Sequence, residues 1–235
     1  SDGHAPVAIS VSDVPVQLET TTSSPQAPQE IRIPSELSGQ LVAGDEKDWF
    51  TFTARRGEVL WLEGFGERIG SPVDLDITIL DEAAETELAR FTDELANLGG
   101  KRFPSNHSDP AGRFVVPADG RYLVLVRSLT SGLDDDPRRV YRLSIRRQET
   151  QMRLAVLPHS DTPAGINLEV RGRTLLDVLA FRGRGLTGPI RVSAKNLPPG
   201  VECPDVWLGP GIARAPLVLT AADGANLTLG SLSFE

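Results

Sequence analysis

Residues 44–62 read G-D-E-K-D-W-F-T-F-T-A-R-R-G-E-V-L-W-L, and residues 70–81 read G-S-P-V-D-L-D-I-T-I-L-D. Phe50 and Phe52 alternate with threonines in the first stretch. Apolar side chains with a period of two are typical of a β-strand that buries one face and exposes the other. Arg56-Gly57 and similar Gly- and Pro-containing turns separate these strands. The stretch therefore predicts antiparallel sheets that cover a core.

The same alternation continues beyond this stretch. Tyr122 to Val126 is apolar on both faces, which favours a central position in a sheet, whereas Tyr141 to Ile145 alternates. We expect seven alternating side chains to share one core, namely Phe50, Phe52, Leu75, Ile77, Tyr122, Val124 and Leu143. Residues 82–98 are rich in helix formers, and their leucines and Phe91 have helical spacing, so a short helix is one interpretation of this stretch.

Four motifs occur in an order that resembles the bacterial pre-peptidase C-terminal domain. They are D-W-F-T-F-T-A at 48–54, S-P-V-D at 71–74, P-A-D-G-R-Y at 117–122 and Y-R-L at 141–143. The resemblance implies a jelly-roll-like β-sandwich of the kind appended to secreted proteases and to large surface proteins, notably of planctomycete type. It also implies a strand around Glu87–Phe91, and we expect that strand and then a helical turn rather than a short helix over 82–98. Further on, R-G-L-T-G-P-I at 184–190 and L-P-P-G-V at 197–201 resemble the immunoglobulin-like module that often follows this domain.

These patterns divide the chain into three parts. Residues 1–29 are expected to be a linker or the end of a preceding module, because 19–29 is rich in Thr, Ser and Pro and carries no apolar period. Residues 30–147 are expected to form the pre-peptidase-like sandwich. Residues 148–235 show short apolar runs at the spacing of an immunoglobulin-like sandwich, which we expect to be incomplete or completed by a neighbour. The predicted fold is therefore all-β, with two tandem antiparallel sandwiches.

Composition excludes several classes of function. The formal net charge of -8 argues against a nucleic-acid partner, which requires a clustered basic face. No apolar stretch approaches the roughly 20 residues of a membrane-spanning helix. A single cysteine, Cys203, excludes an internal disulfide. The three histidines are scattered, and no G-x-S-x-G elbow accompanies them. We therefore predict that the chain is not an enzyme, with a hydrolase as a remote alternative.

Acidic side chains gather before the first strong strand, and they are the metal candidates of the chain. Asp45, Glu46 and Asp48 precede or open the strand around Phe50, and Ca²⁺ takes 6–8 oxygen ligands of this kind. In collagen-binding relatives of the pre-peptidase domain, the resemblance places calcium between such a pair, here Asp45 and Asp48, and an acidic N-terminal segment. That segment is replaced here by E-T-T-T-S-S-P at 19–25. Turn capping by Asp45 and Asp48 remains the alternative.

Three further side chains are candidates for ligand binding. Trp49 falls on the strand face opposite to Phe50, Asp74 opens the next strand, and Trp207 lies beside a Gly-Pro turn. Exposed aromatic faces are suited to recognition of carbohydrate or fibrous protein. Asp74 has an alternative as a side chain that pins a hairpin. Trp61 shares its strand face with Val59, and we expect both in the core.

The sequence therefore predicts a non-catalytic accessory, spacer or adhesion segment of a larger secreted or cell-surface bacterial protein. Its partners would be neighbouring domains of a longer chain, and it would need no cofactor. The alternative is a calcium-assisted module that binds polysaccharide or an extracellular fibrous protein.

Overall fold

A computed structural model describes residues 11–20, 23–130, 135–149, 151–159, 166–183, 185–225 and 231–235. The chain divides into two compact units that are not contiguous in sequence. Unit 1 comprises Ser1–Ala96 and Asn106–Gln148, and unit 2 comprises Asn97–Ser105 and Glu149–Glu235. In the described part of both units the structure is β-strand and loop, with one 3-10 turn at Glu67–Ile69. The predicted all-β fold class is confirmed.

Unit 1 contains two five-stranded sheets. The first has the order β1-β3-β10-β5-β8, with β1 Val16–Leu18, β3 Ser35–Gln40, β10 Val140–Arg147, β5 Val59–Phe65 and β8 Ala111–Val115. The second has the order β2-β4-β9-β6-β7, with β2 Gln29–Glu30, β4 Lys47–Ala54, β9 Gly120–Ser128, β6 Leu75–Leu80 and β7 Glu87–Phe91. Every pairing is antiparallel except β1 with β3 and β2 with β4, which are parallel.

One apolar core lies between these two sheets. It combines alternate residues of both, among them Phe50, Phe52 and Val124 of the second sheet with Leu37 and Leu143 of the first. All seven residues predicted to share a core belong to this cluster. Since each strand buries alternate side chains, the neighbouring positions point away from the core.

The segment before Ile31 contributes strands to unit 1. It was expected to be a linker or the end of a preceding module, yet Val16–Leu18 and Gln29–Glu30 extend the two sheets as parallel edge strands. Glu19 continues this attachment, because its backbone N–H donates to the carbonyl of Ser38 at 2.9 Å. Backbone pairing at a sheet edge needs no apolar period, so the Thr- and Ser-rich composition concealed it. Residues 1–10 lie outside the described part of the chain.

Unit 2 is built on a four-stranded sheet of order β11-β12-β17-β15, with β11 Gln151–Pro158, β12 Arg173–Gly183, β17 Arg214–Ala221 and β15 Val201–Glu202. Two short pairs accompany it, β13 Ile190–Val192 with β16 Val206–Leu208, and β14 Ala194–Lys195 with β18 Ser233–Phe234. A second apolar cluster, which includes Val178, Val192 and Leu217, fills this unit. The immunoglobulin-like interpretation of residues 148–235 stays a prediction.

Two local expectations were wrong. Residues 92–98 contain no helical turn and instead form an isolated bridge between Glu94 and His107, although the strand at Glu87–Phe91 is present. Trp61 does not face the core, because Leu60 and Leu62 are the buried residues of β5. Four consecutive apolar residues at 59–62 fit either strand face, so periodicity could not decide between them. Within the described ranges no helix has the length and apolarity needed to cross a bilayer.

Candidate metal site in unit 1

Three carboxylates meet at the open end of the unit 1 sandwich. Glu19, Glu46 and Asp48 each offer one oxygen, and these oxygens all lie within 4.8 Å of one another. Glu19 follows β1 of the first sheet, Glu46 lies in the turn before β4, and Asp48 is in β4 of the second sheet. We call these three residues the carboxylate triad. Groups from both sheets therefore converge on one point.

Asp48 points into the sandwich because it has the same strand parity as Phe50 and Phe52. It is 3% exposed, and its Oδ2 accepts a hydrogen bond from Tyr141 Oη at 2.6 Å. Tyr141 is also buried and lies in β10 of the opposite sheet. The Tyr141–Asp48 hydrogen bond thus joins the two sheets across the end of the core.

The other two carboxylates are positioned by backbone N–H groups. Glu19 Oε2 accepts from the N–H of Gln40 at 2.7 Å, and Glu46 Oε2 accepts from the N–H of Ala43 at 3.0 Å. Gly39 makes the close approach possible, because a Cβ there would lie 2.4 Å from the Tyr141 ring and 2.6 Å from Glu19 Oε2. Any larger residue at position 39 would displace one of these two side chains.

Burial makes two carboxyl groups of the triad, those of Asp48 and Glu19, reluctant to ionise. Burial raises the pKa of Asp48 to about 8, the charges of Glu19 and Glu46 act in the same direction, and the Tyr141 hydrogen bond opposes them. Burial also raises the pKa of Glu19. The pKa of Tyr141 lies well above its usual value because of burial and then the neighbouring Asp48 carboxylate. A cation placed among these oxygens would lower the pKa of Asp48 and of Glu19, because a nearby opposite charge favours the ionised carboxylate.

A cleft of about 640 Å³ adjoins the triad. Its apolar lining residues are Leu18, Val42, Ile69 and Val140. Its polar lining residues are Glu19, Ser38, Gln40, Glu46, Tyr141 and Arg142. The triad is therefore reachable from solvent on the side of Glu19 and Glu46, while Asp48 closes the inner side. A small cation could enter this site together with water.

The structure separates the sequence candidates for metal binding. Glu46 and Asp48 belong to the triad, whereas Asp45 is exposed and outside it. Glu19 lies in the leading segment 19–25, where the resemblance expects the acidic partner of that pair, and it was not considered as a ligand. One signal could have found it, because Glu19 is the only acidic residue between positions 14 and 29. Tyr141 was considered only as a strand residue.

None of the ligand-binding candidates from the sequence belongs to the triad. Trp49 is half-buried on the outer face of β4, and its backbone N–H donates to Ser23 Oγ at 2.7 Å. Trp207 in unit 2 is 64% exposed. Asp74 carries a buried Oδ1 that has no hydrogen-bond partner among the described residues. Burial, followed by the nearby acidic groups Asp93, Asp76 and Glu67, raises the pKa of Asp74.

A second buried aspartate, Asp109, anchors a turn of unit 1. Its fully buried carboxylate accepts the backbone N–H groups of Gly66, Glu67 and Arg68 at 2.6, 2.8 and 3.1 Å. Arg68 Nε also donates to it at 2.7 Å. Asp109 therefore fixes the 3-10 turn next to the cleft residue Ile69.

No protein-family model matches the chain, and no curated protein matches it significantly in sequence. Among solved structures, the chain is similar to the pre-peptidase C-terminal domain of a collagenase from Bacillus anthracis, with 17% identity and a TM-score of 0.38. The alignment covers 53% of this chain and 100% of that domain. A periplasmic inhibitor of g-type lysozyme from Aeromonas hydrophila aligns with 15% identity and a TM-score of 0.33, over 57% of this chain and 97% of the inhibitor.

A third likeness covers more of the chain but little of the other protein. The GH2 β-galacturonidase from Eisenbergiella tayi aligns over 77% of this chain and 30% of the enzyme, with 11% identity and a TM-score of 0.33. All three TM-scores are below 0.5, so these likenesses decide neither the function nor the ligand of this chain.

Proposed function

We propose that unit 1 is a non-catalytic, calcium-binding accessory module, in which Ca²⁺ is held by Glu19, Glu46 and Asp48. The convergence of these three carboxylates within 4.8 Å is the observation that supports the proposal. All three donors are oxygens, which is the ligand type of Ca²⁺ and Mg²⁺ rather than of softer metals. Three carboxylates and water from the cleft would also suit the larger, less demanding shell of Ca²⁺.

The electrostatics of the triad support a cation. Two carboxylates 4.8 Å apart repel each other by about 3.5 kcal/mol when both are ionised, at an effective dielectric constant of about 20. The triad can relieve this repulsion either by retaining protons or by binding a cation. A divalent ion removes it without leaving a buried group protonated, and its binding would release the proton of Asp48.

The proposed role of the ion is to fasten the leading segment to the sandwich. Glu19 follows the short strand β1, which pairs with β3 over three residues only. A cation shared with Asp48 would add a second attachment, reaching the opposite sheet. Such an attachment would orient whatever precedes this segment in a longer chain. We therefore place the module in a larger secreted or surface-attached bacterial protein, where millimolar calcium is available.

Calorimetric titration with Ca²⁺ tests the proposal. We expect a Kd of about 10⁻⁴–10⁻³ M, the range of extracellular modules. Ca²⁺ at about 10 mM would then stabilise unit 1 by about 1.4–2.7 kcal/mol, which raises its Tm by about 3–11 °C. Glu19→Gln and Glu46→Gln should each abolish the heat of binding and the Tm shift.

Asp45→Asn is the matched control, since it removes the same charge one residue from Glu46 but outside the triad. It should bind Ca²⁺ like the parent protein. Equal weakening by Asp45→Asn and Glu46→Gln would refute the site, and so would the absence of any response to Ca²⁺ in the parent protein.

Trp207 supports a second candidate function, recognition of polysaccharide by unit 2. The residue is 64% exposed, and its indole ring is the kind of aromatic face on which a sugar ring packs. A glycan array compared between the parent protein and Trp207→Ala tests this candidate. Binding that is lost in Trp207→Ala would support it, and binding that is equal in both proteins, or absent from the parent protein, would reject it.

A further inference from the structure

The face of β12 that points away from the core of unit 2 is buried, although the outer face of a sheet is normally exposed to solvent. Leu176, Val178 and Ala180 of this strand face the core, so Asp177, Leu179 and Phe181 point to the other side. Asp177 is nevertheless 4% exposed and Leu179 only 1%. A charged side chain and a leucine on the outer face of a sheet are buried to this extent only when another part of the protein covers them.

The neighbours of these side chains include residues from the segment Asn97–Ser105. This segment comes from the chain between β7 and β8 of unit 1, but it belongs to unit 2 by its contacts. Arg102 Nη2 lies 2.8 Å from Asp177 Oδ2, and Arg102 Nη1 donates to the carbonyl of Pro158. The Phe103 ring lies 6.0 Å from the ring of Phe181 at an angle of 53°. These contacts flank Leu179 on both sides.

The segment also holds its own shape. Gly99 and Phe103 form a short bridge, and Ser105 Oγ accepts the N–H of Leu98 at 2.8 Å. Gly100 adopts a φ of 60°, a conformation that glycine reaches without strain. Arg102 and Phe103 are therefore presented next to each other by a closed turn.

Arg102 is one of the hydrogen-bond donors that keep the buried Asp177 carboxylate ionised. Burial opposes ionisation of this carboxyl, but hydrogen bonds from Arg102, Arg214 and His159 outweigh burial and hold its pKa below the usual value. The side chains of Arg214 and His159 are 51% and 58% exposed, whereas that of Arg102 is 29% exposed. A buried charge that loses a partner is costly, more so when the lost partner is the best shielded one.

We propose that Asp177, Leu179 and Phe181 form an intramolecular docking surface, and that its occupant is the segment 97–105 of this chain, which acts as a strap on unit 2. This surface consists of the acidic Asp177 followed by the apolar Leu179 and the aromatic Phe181. The strap offers the complementary pair, an arginine followed by a phenylalanine. Unit 2 is therefore completed by nine residues that precede its main part in the sequence by more than forty positions.

Hydrogen exchange measured by mass spectrometry on the full chain tests the proposal. The double variant Arg102→Ala/Phe103→Ala should speed exchange in β11 and β12 by at least about tenfold, since local protection reports local opening. Exchange in β4 and β9 of unit 1 should remain as in the parent protein. Lys101→Ala is the matched control, because it removes a positive charge from the same turn and should change neither unit.

Two results would overturn the proposal. One is a double variant whose β11 and β12 exchange like those of Lys101→Ala, and the other is acceleration that is equal in both units. If the double variant does not fold, Asp177→Asn provides the second measurement. It keeps the shape of the side chain but removes the negative charge that Arg102 faces, so docking of the segment weakens and trypsin should cleave after Arg102 at least about tenfold faster than in the parent protein. Unchanged cleavage in Asp177→Asn would also refute docking.

Discussion

Asp48→Asn offers a sharp test of how the triad behaves without a metal. The amide has the shape of the carboxyl, can accept the hydrogen bond from Tyr141, and does not titrate. The pKa of Asp48 is about 8 in the folded protein and 3.8 in its ordinary state. Between about pH 4 and pH 8 the folded protein therefore holds a proton that the unfolded chain has released.

This difference fixes the sign of the pH dependence. Because the folded state binds more protons in this window, the free energy of unfolding falls as pH rises, by at most about 1.4 kcal/mol per pH unit for one group. The contribution of Asp48 is fully present below about pH 4 and is lost as pH rises through 8. Because Asp48 titrates together with Glu19, the loss is spread over this pH range, and we expect the free energy of unfolding to fall by a few kcal/mol in total. The repulsion of about 3.5 kcal/mol between two ionised carboxylates is of the same size.

The assay is urea unfolding between pH 5 and pH 8.5 in a buffer that contains a chelator. The protein has three tryptophans, and Trp207→Phe leaves Trp49 and Trp61, so that fluorescence then reports unit 1 alone. In this background we expect Asp48→Asn to gain stability relative to its parent as pH rises, by about 2 kcal/mol or more at pH 8.5. Parallel stability curves for the two proteins would refute the reasoning about the triad.

Three further predictions follow from the same structure. The apparent affinity for Ca²⁺ should rise from pH 6 to pH 8, because binding must displace the proton of Asp48. Calorimetry in buffers of different ionisation enthalpy should detect the released proton. An affinity that does not depend on pH would contradict this prediction. Phe52→Ala should cost about 3–5 kcal/mol in urea unfolding through lost burial and a cavity, and a loss below about 1 kcal/mol would mean that its environment is not the packed core. Asp109→Ala should lower the free energy of unfolding by at least about 2 kcal/mol, since three backbone N–H groups lose their acceptor. Hydrogen exchange should become faster at residues 66–68. Unchanged exchange there would contradict the anchoring role of Asp109.

The core of unit 1 could be predicted from the sequence because it depends on local alternation. Phe50 and Phe52 have polar neighbours on both sides, so only one strand face could be buried. The same logic failed at Trp61, where four apolar residues in succession left both faces equivalent. It also failed after Phe91, where helix-forming side chains lie in a segment shaped by its pairing with His107.

The triad could be predicted only in part. Asp48 carried its own signal, since its parity matches that of Phe50. Glu19 did not, because its position depends on the parallel pairing of β1 with β3, and three residues of edge strand leave little trace in a sequence. Arg102 and Asp177 carried no signal of their partnership at all, since more than seventy residues separate them and each resembles an ordinary surface charge.

The placement of residues 97–105 has a consequence for how such a protein can be recombined. A cut near residue 148 looks like a clean boundary, but it would deliver unit 2 without nine of its residues. A fusion of the first 148 residues to an unrelated protein would include residues 97–105 but lack the surface of unit 2 on which they dock. We therefore expect the two units to be duplicated or fused to other domains together. Recombination boundaries should lie before unit 1 or after unit 2, and not between them.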